Sequence, residues 1–341
     1  MILAVERLTD LASRALGGSV VYASDELFAE RENLIRPEPP IFDASTFGHK
    51  GKVYDGWETR RRRDPGHDVA IVRLGAPGVI RAVVIDTAYF TGNFAPAASL
   101  EACVMPLHPS VEELLVAGWQ PVLARSTLAG DTANRFEVTD PHSWTHVRLT
   151  IYPDGGVARM RVLGDVVPDP RFLVGTVDLA ALENGGSVVD CSDAFYGSPT
   201  NLIMPGRARH MGEGWENARR RGPGNDYVTL RLAAPGRISE VEIDTSYFVG
   251  NAPGEAAVTG MDARAGGVDS QAAWVPVLDR TRLQPDTRHR FRVDAGPLTH
   301  VRLDVYPDGG VARLRLLGEV DPGELVGLVE AAATSDEGEP R

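Results

Sequence analysis

Thr145–Gly164 reads THVRLTIYPDGGVARMRVLG, and Thr299–Gly318 reads THVRLDVYPDGGVARLRLLG; the two copies differ at four positions. In the first copy, Val147, Leu149 and Ile151 alternate with His146, Arg148, Thr150 and Tyr152. That is the period-two pattern of a strand with one buried face. Tyr152-Pro153-Asp154-Gly155 follows as turn chemistry: proline presets its φ and glycine accepts a positive one. Ala158, Met160 and Val162 then alternate with Arg159 and Arg161. The segment predicts a hairpin over Thr145–Val162, with a twin over Thr299–Leu316.

Working outward, three more blocks occur twice and in the same order. Gly17–Ile35 answers to Gly185–Ile203, Asp55–Leu74 to Glu213–Leu232, and Ile85–Asn93 to Ile243–Asn251. The chain of 341 residues is therefore two copies of one domain, each long enough to close its own core. VVPDP at Val166–Pro170 breaks the pattern, which sets domains at 1–168 and 169–332. The polar end 333–341 is expected to be a disordered tail. Further strands are expected at Val69–Leu74, Val79–Asp86, Leu100–Val104, Gln120–Ala124 and Arg135–Val138, and at their second-copy counterparts. Leu8, Leu11, Ala12, Ala15 and Leu16 lie at helical spacing before Gly17-Gly18, and Asp178–Gly186 opens the second copy in a similar way. Many short strands joined by Gly/Pro-rich turns predict an all-β chain of two tandem β-sandwiches.

Composition narrows the function. The formal net charge of −12 argues against nucleic acid or an anionic membrane as partner. No stretch approaches 18 apolar residues, and Met1–Gly18 lacks the basic start and apolar core of a signal peptide. Cys103 and Cys191 occupy non-equivalent places, so no disulfide framework is expected and a reducing, cytoplasmic location is the simple reading.

The chemistry-bearing residues gather in loops. Lys52–Asp68 (KVYDGWETRRRRDPGHD) holds Asp55, Trp57, Glu58, the arginines Arg60 to Arg63, His67 and Asp68. Trp57/Trp215, Glu58/Glu216, Arg61/Arg219 and Asp68/Asp226 persist across the copies, which a merely solvated charge run does not explain. Two readings of the arginines stay open: anion binding, or pairing with Asp55, Glu58 or Asp86. Asp86 and Asn93 likewise either cap a turn or face a ligand at the rim. His146, Tyr152 and Asp154 are read as structural. There is no HExxH or paired Cys/His motif for zinc, no GxSxG elbow and no phosphate loop. A set of guanidinium, carboxylate and imidazole groups suits a small anionic ligand rich in hydrogen-bonding groups.

Taken together, LGGSVVYASDELFAERENLI, GKVYDGWETRRRR with its PGHD ending, IDTAYFTGN and THVRLTIYPDGGVARMRVLG resemble the allantoicase family, over nearly the whole chain and in both repeats. The resemblance implies a pair of jelly-roll β-sandwiches of the galactose-binding-like type. It also implies hydrolysis of allantoate to ureidoglycolate and urea, and a homo-oligomer such as a hexamer. Allantoate carries one carboxylate and two ureido arms on a single carbon. On that footing Glu58 and His67 are expected as the acid/base pair, with Asp55 as a third catalytic residue. Arg60 and Arg61 are expected as anion binders. Trp57, Asp68, Asp86 and Asn93 are expected to line the substrate, with Glu216 and Arg219 lent by the second repeat. No cofactor is expected to be required; a divalent metal such as Mn, held by Asp55, Glu58, His67, Asp68 and Asp86, is the alternative. The second repeat has Glu213, Asn217, Ala218 and Asn225 where the first has Asp55, Thr59, Arg60 and His67, which predicts asymmetry between the copies. A ureidoglycolate-preferring hydrolase and a non-catalytic small-ligand-binding β-sandwich are the rival classes.

Overall fold

The computed structural model describes residues 8–49, 51–265 and 274–336. The chain divides at Val167/Pro168 into two compact units. In the first unit the organising element is one long strand, Asp68–Asp86, on which core positions alternate almost throughout. Sequence reading splits it into Val69–Leu74 and Val79–Asp86, but the strand runs on through Gly75–Gly78. There the backbone passes close to its neighbours. A Cβ on Gly75 would lie 2.7 Å from the Leu16 carbonyl oxygen, and one on Gly78 would lie 2.5 Å from that of Asp165.

The first half of this strand pairs antiparallel with Ser143–Tyr152 and Ser19–Ala23, and its second half with Arg159–Val166 and Ala133–Glu137. Ala97–Cys103 and then Gln120–Thr127 extend the Ser143–Tyr152 side. The two halves thus belong to the two faces of a sandwich. This overturns the expected hairpin: Ser143–Tyr152 and Arg159–Val166 do not pair with each other. Between them Gly156–Val157 turns away to pair with Trp57–Glu58. The physical reason is burial. Val147, Leu149 and Ile151 from one strand and Met160 and Val162 from the other share a single core, which they fill from opposite sides. Gly155 does take the positive φ expected of it, at 133°.

The second unit repeats the plan. Asp226–Asp244 pairs along both halves with Arg288–Tyr306 and with Arg313–Val320. Here Arg290–Val293 and the Thr299 strand are one continuous element of 19 residues. The all-β class therefore holds, with two corrections at the ends. The expected N-terminal helix is a strand pair at Thr9–Asp10 followed by a single 3-10 turn, Arg14–Leu16, closed by Gly17 at φ 101°. The sequence DLAALENGG gives the same result at Leu182–Asn184. A helix spans Pro322–Asp336, so the first residues of the segment expected to be disordered are helical; 337–341 lie outside the described residues. Among the described residues no helix is long and apolar enough to cross a membrane.

The face of Ser143–Tyr152 turned away from the core is also covered. Cys103 and Leu114 are buried there with Trp119 packed against them, and Arg148 lies 4.8 Å over the Trp119 ring. His146 is 2% exposed and bonds Thr145 Oγ1 through Nδ1 at 2.8 Å. Burial, helped by Arg73, pushes its imidazole down to about 4. It stays neutral at ordinary pH, in keeping with its structural reading.

Candidate functional site

Four loops meet at one rim of the first sandwich: Ser24–Phe28, Asp55–Arg62, Thr87–Asn93 and Tyr152–Gly156. Backbone bonds join them. Phe28 and Ala29 N–H donate to the Glu58 carbonyl, Gly156 N–H to that of Asn93, and Thr59 N–H to that of Gly155. Gly156 is required here, since a Cβ would sit 2.1 Å from the Phe90 ring.

Glu58 is half-buried at this junction, and its Oε1 accepts from Asn93 Nδ2 at 2.7 Å. Burial lifts the Glu58 carboxyl above the ordinary glutamate value, against the opposing bond from Asn93. A carboxyl so placed takes up and releases a proton nearer neutrality than a solvated one does. The second repeat builds the same pair, Asn251 Nδ2 to Glu216 Oε1 at 2.5 Å. Sequence reading named Glu58 and Asn93 separately, and the fold brings them together.

Several expected site residues serve the scaffold instead. Trp57 is fully buried, its Nε1 donating to the Asp25 carbonyl at 2.7 Å, and it presents no surface to a ligand. Asp55 is the counter-ion of Arg159, which is 2% exposed, at 2.8 Å. Burial pushes the Asp55 carboxyl up, but the bonds from Arg159 and the Ile41 N–H outweigh this and hold it below the usual carboxylate range. Asp68 is buried between Ser24 Oγ at 3.0 Å and Arg62 Nη1 at 2.7 Å. Asp86 accepts from Ala88 N–H at 2.8 Å, which is the turn-capping alternative. Arg60 is held by Asp25 at 2.6 Å. His67 is exposed, and its ring lies 5.5 Å from that of Tyr152; no hydrogen bond joins it to Glu58.

Arg61 and Arg219 differ from these. Both are exposed, and among the described residues neither makes a hydrogen bond or an ion pair. Arg63 and Arg221 share that condition. These are guanidinium groups on the rim loops with their forks unoccupied, suited to a carboxylate. No three His, Cys, Asp or Glu side chains converge as a metal-ligand set among the described residues.

Sequence reasoning missed Asp25 and its counterpart Asp193. Asp25 accepts from Arg60 N–H, Leu27 N–H and Arg60 Nε, and its carbonyl holds Trp57. The duplicated Ser-Asp at Ser24-Asp25 and Ser192-Asp193 was the available signal.

Fold and site together define a class: a tandem-duplicated antiparallel β-sandwich with a carboxylate–amide pair and unpaired guanidinium groups at the rim of each copy. A family model described as the allantoicase repeat matches residues 9–167 and 177–321. A probable allantoicase of Nocardia farcinica is 55% identical over 318 residues, covering 92% of this chain and 94% of that one. One from Streptomyces coelicolor is 50% identical, covering 91% and 85%. The crystal structure of allantoicase from Saccharomyces cerevisiae superposes with a TM-score of 0.77 at 34% identity, covering 93% and 95%. The chain belongs to the allantoicase family.

Proposed function

We propose that this chain hydrolyses allantoate to ureidoglycolate and urea. The observation that carries the reading is family membership across both repeats, joined to a rim whose Glu58 carboxyl is raised by burial and whose loop carries unoccupied guanidinium groups. Arg61 takes the substrate carboxylate in a two-pronged bond. Glu58, protonated, delivers its proton to the departing urea, and as carboxylate it then takes one from the incoming water. The bond between the central carbon and a ureido nitrogen breaks, and a carbon–oxygen bond to water replaces it. Departure of urea to an N-carbamoyliminium cation before water adds uses the same two proton transfers; a neutral imine requires in addition that the remaining ureido N–H lose its proton and regain it when water adds. Asn93 holds the Glu58 carboxyl in place through both. His67 stands outside this proton path, because its neighbour is the Tyr152 ring.

The reaction written this way needs no resident cofactor, and the Asp55 and Asp68 carboxylates are already engaged by Arg159 and Arg62. Assembly into a homo-oligomer is part of the same reading. Leu27 and Phe28 and their counterparts Phe195 and Tyr196 are exposed between 41% and 71%, apolar surface that a subunit contact would cover. Sedimentation of the purified chain tests the assembly.

The test of the activity is incubation of purified protein with allantoate, with and without chelator, followed by assay of urea and ureidoglycolate. One urea per allantoate is expected at first. No urea under any condition would leave the non-catalytic module. Faster consumption of ureidoglycolate than of allantoate would make the chain a ureidoglycolate hydrolase.

A further inference from the structure

The second sandwich holds a cavity of about 410 Å³, lined by Glu255, Arg280, Arg282 and Tyr306, with Gly224 and Pro307 at its edge. Sheet register explains the lining. Glu255 stands opposite Arg282 on one neighbouring strand and opposite Tyr306 on the other. Directly opposed residues share a face, so the three side chains form one row. Arg280, two residues before Arg282, points to the same face.

The two arginines are in different states. Arg280 Nε donates to Glu255 Oε2 at 2.7 Å, its Nη2 forms an ion pair with the same oxygen at 2.5 Å, and its guanidinium lies 3.9 Å over the Tyr306 ring. Arg282 has no hydrogen bond or ion pair among the described residues. Glu255 Oε1 is likewise left over, since Oε2 takes both Arg280 bonds. The cavity thus presents one unoccupied guanidinium fork and one unoccupied carboxylate oxygen on opposed residues.

The first sandwich keeps the frame without this pair. Its row is Thr127, Ala97 and Tyr152, and Arg125 lies 4.3 Å over the Tyr152 ring. The arginine-on-tyrosine stack therefore stands without a charged pair beside it. Arg282 and Glu255 add a donor fork and an acceptor that the frame does not need.

We propose that this cavity, which borders the second rim at Tyr306 and Pro307, is a further binding site for a small ureido carboxylate. The ligand carboxylate takes both prongs of Arg282, and its ureido N–H groups donate to Glu255 Oε1. The cavity volume falls in the range of small-ligand sites. The anionic half of the assignment rests on Arg282 alone; the ureido half rests also on the activity proposed above.

The test uses the full chain labelled with ¹⁵N-arginine. The Nε–H signal that disappears in Arg282→Thr, the residue of the first repeat, belongs to Arg282. N-carbamoylglycine should move that signal to saturation. Acetate should need a concentration at least roughly tenfold higher, for want of the ureido bonds, and urea alone should leave it unmoved. A signal that N-carbamoylglycine does not move overturns the site. Equal response to acetate and N-carbamoylglycine overturns the ureido assignment. Allantoate turnover, measured on the same samples, separates the two proposals. Turnover with an unmoved Arg282 signal sinks the cavity alone, and a saturating shift without turnover sinks the activity alone.

Discussion

Replacing Glu58 by glutamine isolates the proton from everything else the side chain does. Glu58 Oε1 accepts from Asn93 Nδ2 at 2.7 Å, and a glutamine oxygen accepts the same bond. Its backbone pairing with Gly156 is untouched. What Glu58→Gln removes is the exchangeable proton. A positioned acid or base contributes about 10²–10⁴ in rate, or about 2.7–5.4 kcal/mol of barrier. Urea release from saturating allantoate should fall by that factor. Stability has the opposite sign. Burial raises the Glu58 carboxyl, so its ionised form is disfavoured in the folded chain. Above the ordinary glutamate pKa the neutral glutamine avoids that penalty, and below it the acid is neutral in both states and the difference vanishes. At pH 7 the variant should melt no lower than the parent. A variant that retains nearly all of the parental turnover refutes the assignment. One that keeps about half points instead to two working rims, Glu58 and Glu216, and Glu216→Gln should then cost the other half.

Asn93→Ala removes the bond that steadies ionised Glu58, so the inflection in the pH–rate profile should move to higher pH; a fixed inflection shows that another group titrates. Asp55→Asn leaves Arg159 buried without its counter-charge, and calorimetry should register a loss of about 3 kcal/mol, with turnover per folded molecule retained; a stable, inactive variant would return Asp55 to catalysis. His67→Ala should alter turnover less than about threefold, within the range of a surface change, whereas Arg61→Ala should raise KM by roughly tenfold or more through loss of a charge-assisted bond; the reverse order in steady-state assays refutes both placements. Treatment with EDTA should leave urea release unchanged, and loss restored by Mn²⁺ would establish a metal requirement.

The duplication and the strand alternation were legible because they are local: adjacent residues and a fixed period decide them. Strand partners were not. The Thr145–Val162 segment carries every mark of a hairpin, and only the long strand Asp68–Asp86, which takes each arm on a different half, forbids it. The partners of the site residues were hidden in the same way. Asp55, Trp57 and Asp68 are the residue types of a reactive cluster, but what makes Asp55 a brace is Arg159, 104 positions away. No spacing rule along the chain reports such a partner. Asp25 went unnoticed for the converse reason, as a single acid in a loop whose importance comes from the Trp57 and Arg60 that it holds.

Comparison of the two copies separates these roles better than residue type does. Thr59 becomes Asn217, yet both accept the glycine N–H of the turn, from Gly155 at 3.2 Å and from Gly309 at 2.7 Å. Arg60 becomes Ala218, yet both backbone N–H groups donate to the equivalent aspartate. These departures preserve a bond, so they mark scaffold. The expected asymmetry narrows to two places: Asp55, paired with Arg159, against Glu213, whose carboxylate pairs with Arg209 instead; and His67, set against Tyr152, against Asn225, bonded to Asp304 at 2.8 Å. The opposite pattern is persistence without an internal reason. Trp57 and Trp215 persist because each is buried with its N–H satisfied. Arg61 and Arg219 persist with no hydrogen bond or ion pair among the described residues. A residue kept in both copies while the fold shows no partner for it among the described residues is kept for a partner outside the fold, and a guanidinium on the same loop as the Glu of each Glu–Asn pair selects an anion for that role.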